Sequence, residues 1–217
     1  MNRLNIEREL LEGAIIREPV GDEKGYWVGA PGWCWDEADQ AAYLTYRIRR
    51  PRGVEPDRGG ESRIARTTDF ESFEDVWSVR KSQYDSASIE KSILKRGPDG
   101  QWRYFTSYVA PEDGRWCTTV NRADTVEALD PGNTKRLFTA TELGLEGVKD
   151  PWLMEVDGVY YLFLSVAKST STTGDKSHDS LDIFNTGECV SATALSPSTD
   201  LDHWDWQGIV LQPEGDT

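Results

Sequence analysis

Two carboxylates of this chain stand near the start of short apolar segments. Asp150 precedes Pro151 in GVKDPWLMEVDGVYYLFLSV, residues 147–166, and Glu90 lies in SIEKSIL. Two carboxyl groups can cleave a glycosidic bond, because one protonates the leaving oxygen while the other activates water or attacks the sugar. Crowding also raises the pKa of one carboxyl, which keeps that acid protonated near neutral pH. The alternative is structural, since Asp before Pro often caps a turn through its own backbone.

Tryptophans accompany these carboxylates. Aromatic rings stack on the apolar faces of sugars, and the chain has 9 Trp. Trp33, Trp35 and Trp152 lie on leading segments of the same kind. We predict that these three contact carbohydrate, and packing is the alternative. The tryptophans on other segments are expected to pack between structural units.

A basic run, RIRRPRGVEPDRGGESR, spans residues 47–63 of an otherwise acidic chain. Arginine can hold a carboxylate or phosphate in a bidentate fork, which would suit uronic-acid substrates or phosphorolysis. Arg47 is the candidate for substrate binding, because it ends a predicted strand. The composition of the remainder of this basic run favours a solvated loop whose arginines pair with nearby acidic residues.

The elements that must position these residues recur along the chain. AAYLTYRIR, WRYFTSYVA and VYYLFLSVA align on Tyr43, Tyr104 and Tyr161, at spacings of 61 and 57 residues. Each follows a turn signal, DEADQ, GPDGQ or VDG, and a shorter apolar segment precedes each turn. The pattern predicts one β-hairpin used three times.

Two further strands follow each hairpin, the third ending in small polar residues and the fourth carrying large apolar ones. Four short strands in a repeat of about 60 residues predict β-propeller blades. The blades are predicted at about 25–82, 83–141 and 142–213, after a lead-in over 1–24 that looks helical or supplies a closing strand. The alternative is a β-sandwich of similar hairpins, which requires no such period.

Three blades cannot close a ring, since propellers have about four to eight. The chain is therefore expected to be a fragment or to be completed by another chain. Self-association through the open propeller edge is expected, because unpaired strand edges and apolar faces are exposed. First strands line a propeller's channel, so Ala30-Pro31, Glu90 and Asp150-Pro151 are expected to converge there.

Composition excludes several kinds of partner. The net charge is −14 and the sequence pI about 4.6, so nucleic acid and anionic membranes would be repelled. No stretch reaches the roughly 20 apolar residues of a membrane span. The 3 Cys and 2 His lack metal-ligand spacing, so no metal and no cofactor are predicted. The start of the chain has no apolar run, which predicts no signal peptide and a cytoplasmic location.

The segment VKDPWLMEVDGVYYLFLS resembles the Asp-Pro hairpin of the five-bladed propeller glycosidases. These are the arabinanases and xylosidases of glycoside hydrolase family 43, with their invertase, levansucrase and mannoside phosphorylase relatives. GYWVGAPGWCWDEADQAAYLTYRIRRPRG and RIARTTDFESFEDVW resemble the opening blade of the same superfamily. The resemblance covers most of residues 25–213 and implies an all-β, partial five-bladed β-propeller of about three four-stranded blades.

The resemblance also implies roles for individual residues. Arabinanase-like members use a base in the first blade, a pKa-tuning aspartate at a later Asp-Pro and an acid about one blade further on. The aspartate falls on Asp150 and the acid on Glu214. The base does not carry over, because Ala30 stands before Pro31. Asp36 is assigned to its turn, and Glu90 could supply the missing carboxylate.

We therefore predict a glycoside hydrolase-like protein that uses Asp150, Glu90 and Glu214 as catalytic carboxylates. Its predicted partner is a carbohydrate substrate, held by Trp33, Trp35, Arg47 and Trp152. The alternative is a carbohydrate-binding or chain-assembly propeller module without a complete acid set, which the alanine at position 30 favours.

Overall fold

The computed structural model describes residues 13–174, 177–179 and 181–214. It is an all-β structure, as the sequence predicts. The first half of the lead-in, for which a helix or a closing strand is predicted, lies outside the described residues. Residues 13–19 have no regular secondary structure. Arg17 attaches this segment to the first blade, donating to Phe73 O and Asp75 Oδ1, each at 2.8 Å.

Twelve strands form one four-stranded antiparallel sheet and one eight-stranded sheet, in which two antiparallel units of four strands are joined by a parallel pairing of Trp116 with Gly147. These three four-stranded units agree with the predicted partial propeller and are called blades 1 to 3. Blade 1 contains β1 Trp27–Asp36, β2 Ala41–Arg49, β3 Glu61–Thr67 and β4 Glu74–Arg80. Blade 2 contains β5 Ile89–Arg96, β6 Trp102–Val109, β7 Trp116–Ala123 and β8 Lys135–Phe138. Blade 3 contains β9 Gly147–Val156, β10 Val159–Ser169, β11 Cys189–Ser198 and β12 Gly208–Leu211.

Helical structure is confined to short connections. These are the helix α1, Ala140–Leu143, and 3₁₀ turns at Lys81–Tyr84, Pro131–Asn133 and Ser177–Asp179. In the described residues no helix is long and apolar enough to cross a membrane. The three cysteines are free and buried.

The blades pack face to face, so the middle strands are buried on both sides. Every residue of β6 is buried. Ile64, Tyr104 and Leu94 belong to the core between blades 1 and 2, while Phe105 and Leu162 belong to that between blades 2 and 3. Hydrophobic burial of this kind is the main source of the fold's stability.

Buried hydrogen bonds fix blade 1 against blade 2. Thr45 Oγ1 donates to Ser92 O at 2.6 Å, and Tyr104 OH donates to Ser62 Oγ at 2.9 Å. A buried polar group that lacks a hydrogen-bond partner destabilises the fold. These hydrogen bonds therefore favour a single position of blade 1 relative to blade 2. The first strands β1, β5 and β9 are thereby held side by side.

Gly32 marks a position where β1 passes close to the backbone of β5. A Cβ at this position would lie 2.5 Å from Thr45 Oγ1 and 2.6 Å from Ser92 O. We expect Gly32→Ala to lower the free energy of unfolding by about 1–3 kcal/mol, because the backbone of β5 must shift. Urea denaturation measures this, and an unchanged midpoint would contradict the packing described.

The turn between the third and fourth strands recurs in blades 1 and 3. Asp69 accepts hydrogen bonds from the backbone N–H groups of Glu71 and Ser72, and Asp200 accepts the equivalent bonds from Asp202 and His203. Backbone donors of this kind stabilise a charged carboxylate. The bonds from Ser72 and Glu71 accordingly lower the pKa of Asp69 to about 2. The shared turn supports the repeat deduced from the sequence.

The same turn differs in burial between the two blades. Leu201 is fully buried, because blade 2 covers it, whereas the equivalent Phe70 is 55% exposed and stacks on Trp33 and Trp35. Blade 3 exposes several large apolar side chains, among them Trp152, Met154, Val156 and Leu211. Self-association through these open faces stays a prediction.

Candidate active site

Each first strand is interrupted where the sequence places a candidate site residue. The strand pairing shifts register between Gly29 and Gly32 in β1, between Ile89 and Ser92 in β5, and opposite Leu164 in β9. Ala30, Glu90 and Asp150 are the residues at these irregularities. A bulge bends the strand and redirects a side chain, and bulges are frequent beside active sites.

Asp150 and Ala30 share an unusual backbone conformation. Both precede proline and both have a positive φ, 55° for Asp150 and 52° for Ala30. Such a conformation costs on the order of 1–3 kcal/mol in a residue other than glycine and persists where the surrounding structure enforces it. The two positions are therefore structural equivalents, and blade 1 presents a methyl group where blade 3 presents a carboxylate.

Lys149 lies between the two candidate carboxylates. Its Nζ is 3.9 Å from Glu90 Oε1 and 3.5 Å from Asp150 Oδ2. The two oxygens therefore lie no farther apart than the sum of these distances, which is below the upper limit of about 9.5 Å for the two carboxyl groups of a glycosidase. The structure thus brings together Glu90 and Asp150, which stand in different blades.

The sequence pattern does not single out Lys149 as a site residue. Its ammonium group lies over the rings of Phe184 at 4.6 Å and Trp116 at 5.2 Å. A cation above an aromatic face is held by the ring quadrupole. The only signal in the sequence is its position directly before the Asp-Pro pair.

Glu90 is largely but not fully buried, with 17% of its side chain exposed, and it is paired with Arg47. Arg47 Nη1 lies 2.6 Å from Glu90 Oε2, and the same nitrogen donates to Ile89 O at 3.0 Å. Burial raises the pKa of Glu90 above its ordinary value, and the nearby Asp150 adds to the rise, although Arg47 and Lys149 oppose it. A glutamate with a raised pKa is suited to donate a proton near neutral pH.

The basic run divides between two roles. Arg63 pairs with Glu61 and Asp75, and Arg52 and Arg58 pair with Asp182, as the solvated-loop interpretation expects. The run also borders a pocket beside Glu90, which is lined by Arg47, Arg49, Arg52, Arg58, Asp57, Trp116 and Leu181. The sequence pattern predicts a solvated loop for all of these arginines except Arg47, whereas Arg49, Arg52 and Arg58 also line this pocket.

The three candidate tryptophans lie together but apart from the arginine pocket. Trp33, Trp35 and Trp152 line a second pocket with Lys91, Lys95 and Glu155, further along the first strands. Trp33 and Trp152 are about half exposed, 53% and 47%. They form an aromatic surface in the channel, beyond the bulges that carry the carboxylates.

Glu214 lies at the margin of the site. Pro213 lines a pocket with Asp150 and Lys149, and Glu214 follows it in an exposed position. Glu214 makes no ion pair or hydrogen bond with any residue that the structure describes. Asp36 belongs to its turn, since its Oδ1 accepts from Asp39 N at 2.8 Å.

No group of three or more His, Cys, Asp or Glu side chains that could hold a metal ion occurs within residues 13–174, 177–179 and 181–214. The cations beside the carboxylates are instead protein side chains, Arg47 and Lys149. The described chemistry of the site is that of carboxyl groups, guanidinium groups and one ammonium group.

Comparison with solved structures identifies the architecture. A GH43 β-xylosidase/α-arabinofuranosidase from a compost microbial metagenome, in complex with xylotriose, matches 91% of this chain with a TM-score of 0.57 and 12% identity. An endo-arabinase from Bacteroides thetaiotaomicron matches 92% with a TM-score of 0.55 and 13% identity. A GH32 β-fructofuranosidase from Bombyx mori matches 88% with a TM-score of 0.55 and 9% identity.

These similarities establish the fold as part of a five-bladed β-propeller of the kind found in GH43 and GH32 enzymes. The chain spans 62% of the first of these structures, 60% of the second and 37% of the third. Neither a protein-family model nor a curated protein matches the chain. The likeness is therefore one of fold, and activity must be argued from the site.

Proposed function

We propose that this chain belongs to a glycoside hydrolase that cleaves a glycosidic bond between Glu90 and Asp150. The observation that carries the proposal is the placement of both carboxylates around Lys149, within 3.9 Å and 3.5 Å. The bulges that present them and the strained backbone of Asp150 are features that cluster at functional sites. The fold shared with GH43 and GH32 enzymes supports the same reaction class.

In this proposal Glu90 is the general acid. Its raised pKa keeps a proton available for the leaving oxygen. Asp150 is the second carboxylate, which activates water or attacks the sugar. Lys149 stabilises the negative charge that Glu90 acquires when it donates its proton. The exposed Trp33 and Trp152 would stack on sugar units further along the channel.

Glu90→Gln tests the acid assignment. We expect kcat/KM on aryl β-xylosides, α-arabinofuranosides or β-galactosides to fall about 100-fold, the lower end of general acid catalysis. The active form of an acid is its protonated form, so activity falls as pH rises through its pKa. The pKa of Glu90 is raised, so the fall in activity on the alkaline side of the pH–rate profile, the alkaline limb, should occur above the pKa of about 4.3 of an ordinary glutamate. This limb should disappear in the variant.

Glu112→Gln is the matched control, since Glu112 is an exposed carboxylate paired with Arg136 on blade 2. Glu214→Gln tests the assignment that the family resemblance implies. If Glu214→Gln removes the alkaline limb while Glu90→Gln keeps it, then Glu214 is the acid and the present assignment is wrong.

A carbohydrate-binding module without catalysis is the second candidate, and Ala30 favours it. In that case none of the glycosides would be hydrolysed, yet xylotriose or a related oligosaccharide would bind. Binding would then be weakened by Trp33→Ala and Trp152→Ala, because these rings form the aromatic surface of the channel. Hydrolysis of any of the three substrates by the purified chain would exclude this candidate.

A further inference from the structure

The pocket beside Glu90 carries more positive charge than a neutral sugar requires. We infer that this arginine pocket, formed by Arg47, Arg49, Arg52 and Arg58, binds an oxyanion of the substrate, so that the substrate is an acidic glycoside. The oxyanion is a carboxylate or a phosphate carried by the sugar. The inference rests on the proposed function for the reaction, but the pocket itself can be tested without it.

Positively charged side chains outnumber negatively charged ones around the pocket. Four of its lining residues are arginines, whereas its lining carboxylates are Asp57 and Glu90. This concentration of guanidinium groups occurs in a chain with a net charge of −14. Asp182, which pairs with Arg52 and Arg58, adds a third carboxylate. Four guanidinium groups therefore face three carboxylates, and the excess of positive charge favours the binding of an anion.

The pairing of these arginines leaves donors unused. Arg47 pairs with Glu90, and Arg52 and Arg58 share Asp182. Among the described residues Arg49 has no ion-pair partner. Burial, together with the charges of Arg58 and Arg47, lowers its pKa from the ordinary value. Arg47 Nε is buried without a hydrogen-bond partner in the described part of the chain.

The loop that carries Arg58 is fixed against the catalytic strand. Gly59 O accepts a hydrogen bond from Ile89 N at 2.8 Å, one residue before Glu90. Gly59 has a φ of +60°, and a Cβ there would lie 2.0 Å from Ser88 Oγ. Only glycine allows this approach. The pocket is therefore a preformed feature beside Glu90, which distinguishes it from a mobile charged loop.

An oxyanion suits this geometry. Guanidinium groups bind carboxylates and phosphates with paired, charge-assisted hydrogen bonds, and several of them converge here. The hydroxyl groups of a neutral sugar carry no charge and would leave the excess positive charge of the pocket unbalanced. Because Glu90 lines the same pocket, the bound oxyanion would lie next to the bond that is cleaved and would orient the sugar there.

Calorimetric titration at low ionic strength tests the inference, since exposed charges are screened by salt. The probes are inorganic phosphate, D-glucuronate and D-glucose. We expect the wild-type chain to bind phosphate or glucuronate and to bind glucose at least ten times more weakly. Arg49→Gln should weaken oxyanion binding at least tenfold. Arg49→Lys, which keeps the charge, should retain part of it.

Arg136→Gln is the matched control, because it removes one exposed arginine on blade 2. Binding of glucuronate alone would identify a uronic-acid sugar, and binding of phosphate alone would identify a phosphorylated sugar. Equal binding by the wild-type chain and Arg49→Gln, with both folded by circular dichroism, would overturn the inference. So would a loss of the same size in Arg136→Gln.

The outcome of the oxyanion-binding experiments can be distinguished from the outcome of the hydrolysis experiments. If neutral glycosides are hydrolysed and no oxyanion binds, the inference is wrong and the glycosidase proposal stands. If oxyanions bind through Arg49 but neither neutral nor acidic glycosides are hydrolysed, the pocket is confirmed and the hydrolase proposal is wrong. Faster hydrolysis of an aryl glucuronide than of the matching aryl glucoside would support both.

Discussion

Asp150→Asn is expected to lower kcat/KM by at least about 1000-fold while the chain stays folded. The loss of one catalytic carboxylate removes either the base or the nucleophile of glycoside hydrolysis, and positioned acid–base groups contribute up to about 10⁴-fold. Asparagine is the appropriate substitution, because it tolerates the positive φ of 55° at this position. Steady-state hydrolysis of the best aryl glycoside measures the effect.

Asp157→Asn is the matched control for this substitution. Asp157 has a similar positive φ, 52°, in the turn that connects β9 and β10 of the same blade. The two variants therefore make the same chemical change in the same backbone conformation, at the site and away from it. Full activity in Asp150→Asn, or an equal loss in Asp157→Asn, would remove Asp150 from the mechanism.

Arg103→Met is expected to lower the free energy of unfolding by about 2–3 kcal/mol. The Arg103 side chain is only 1% exposed and pairs with Asp99 of blade 2 and Asp202 of blade 3, each at 2.7 Å. Removing one partner of a wholly buried pair costs about 3–5 kcal/mol, whereas exposed pairs contribute up to about 1 kcal/mol. The two aspartates are about one third exposed, so an intermediate cost follows.

Arg122→Met provides the comparison, because Arg122 pairs with the same two aspartates but is 46% exposed. We expect Arg122→Met to lower the free energy of unfolding by less than about 1 kcal/mol. Urea denaturation of both variants checks the difference, and equal costs would show that burial of Arg103 is not the cause.

The Arg103 effect should depend on pH. The hydrogen bond from Arg103 lowers the pKa of Asp99 in the folded state. A depressed carboxyl pKa contributes stability above the unfolded value of about 4, and this contribution is lost as pH falls through the folded value. The difference between Arg103→Met and the wild-type chain should therefore narrow in acid below about pH 4. A difference that grows in acid would contradict this ion pair.

The strands and their order could be predicted because they depend on local patterns. The alternation of apolar and polar residues, the aromatic hairpins and the Asp and Gly turns recur three times within the sequence. The same repeat aligned Ala30, Glu90 and Asp150, and the structure places all three at register shifts of their first strands. A sequence repeat identifies which residues of different blades correspond, even when the contacts of those residues are unknown.

The differences between equivalent positions could not be read from the repeat. Phe70 and Leu201 occupy the same turn, yet one is 55% exposed and the other is buried. Burial here depends on whether a neighbouring blade covers the turn, which is a property of the assembly of blades. Arg103 similarly looks like an outward residue of an aromatic strand, but the turn of the next blade covers it.

The sequence by itself determined an all-β chain of three four-stranded blades, a likeness to propeller glycosidases and the positions of two candidate carboxylates. Only the tertiary structure decided that Lys149 lies between those carboxylates and that arginines surround Glu90. The reason is that these contacts join residues far apart in the chain. Arg47 Nη1 reaches Ile89 O across 42 residues, and the ion pair of Arg52 and Asp182 spans 130. Such distances are set by how blades pack, which no local pattern encodes.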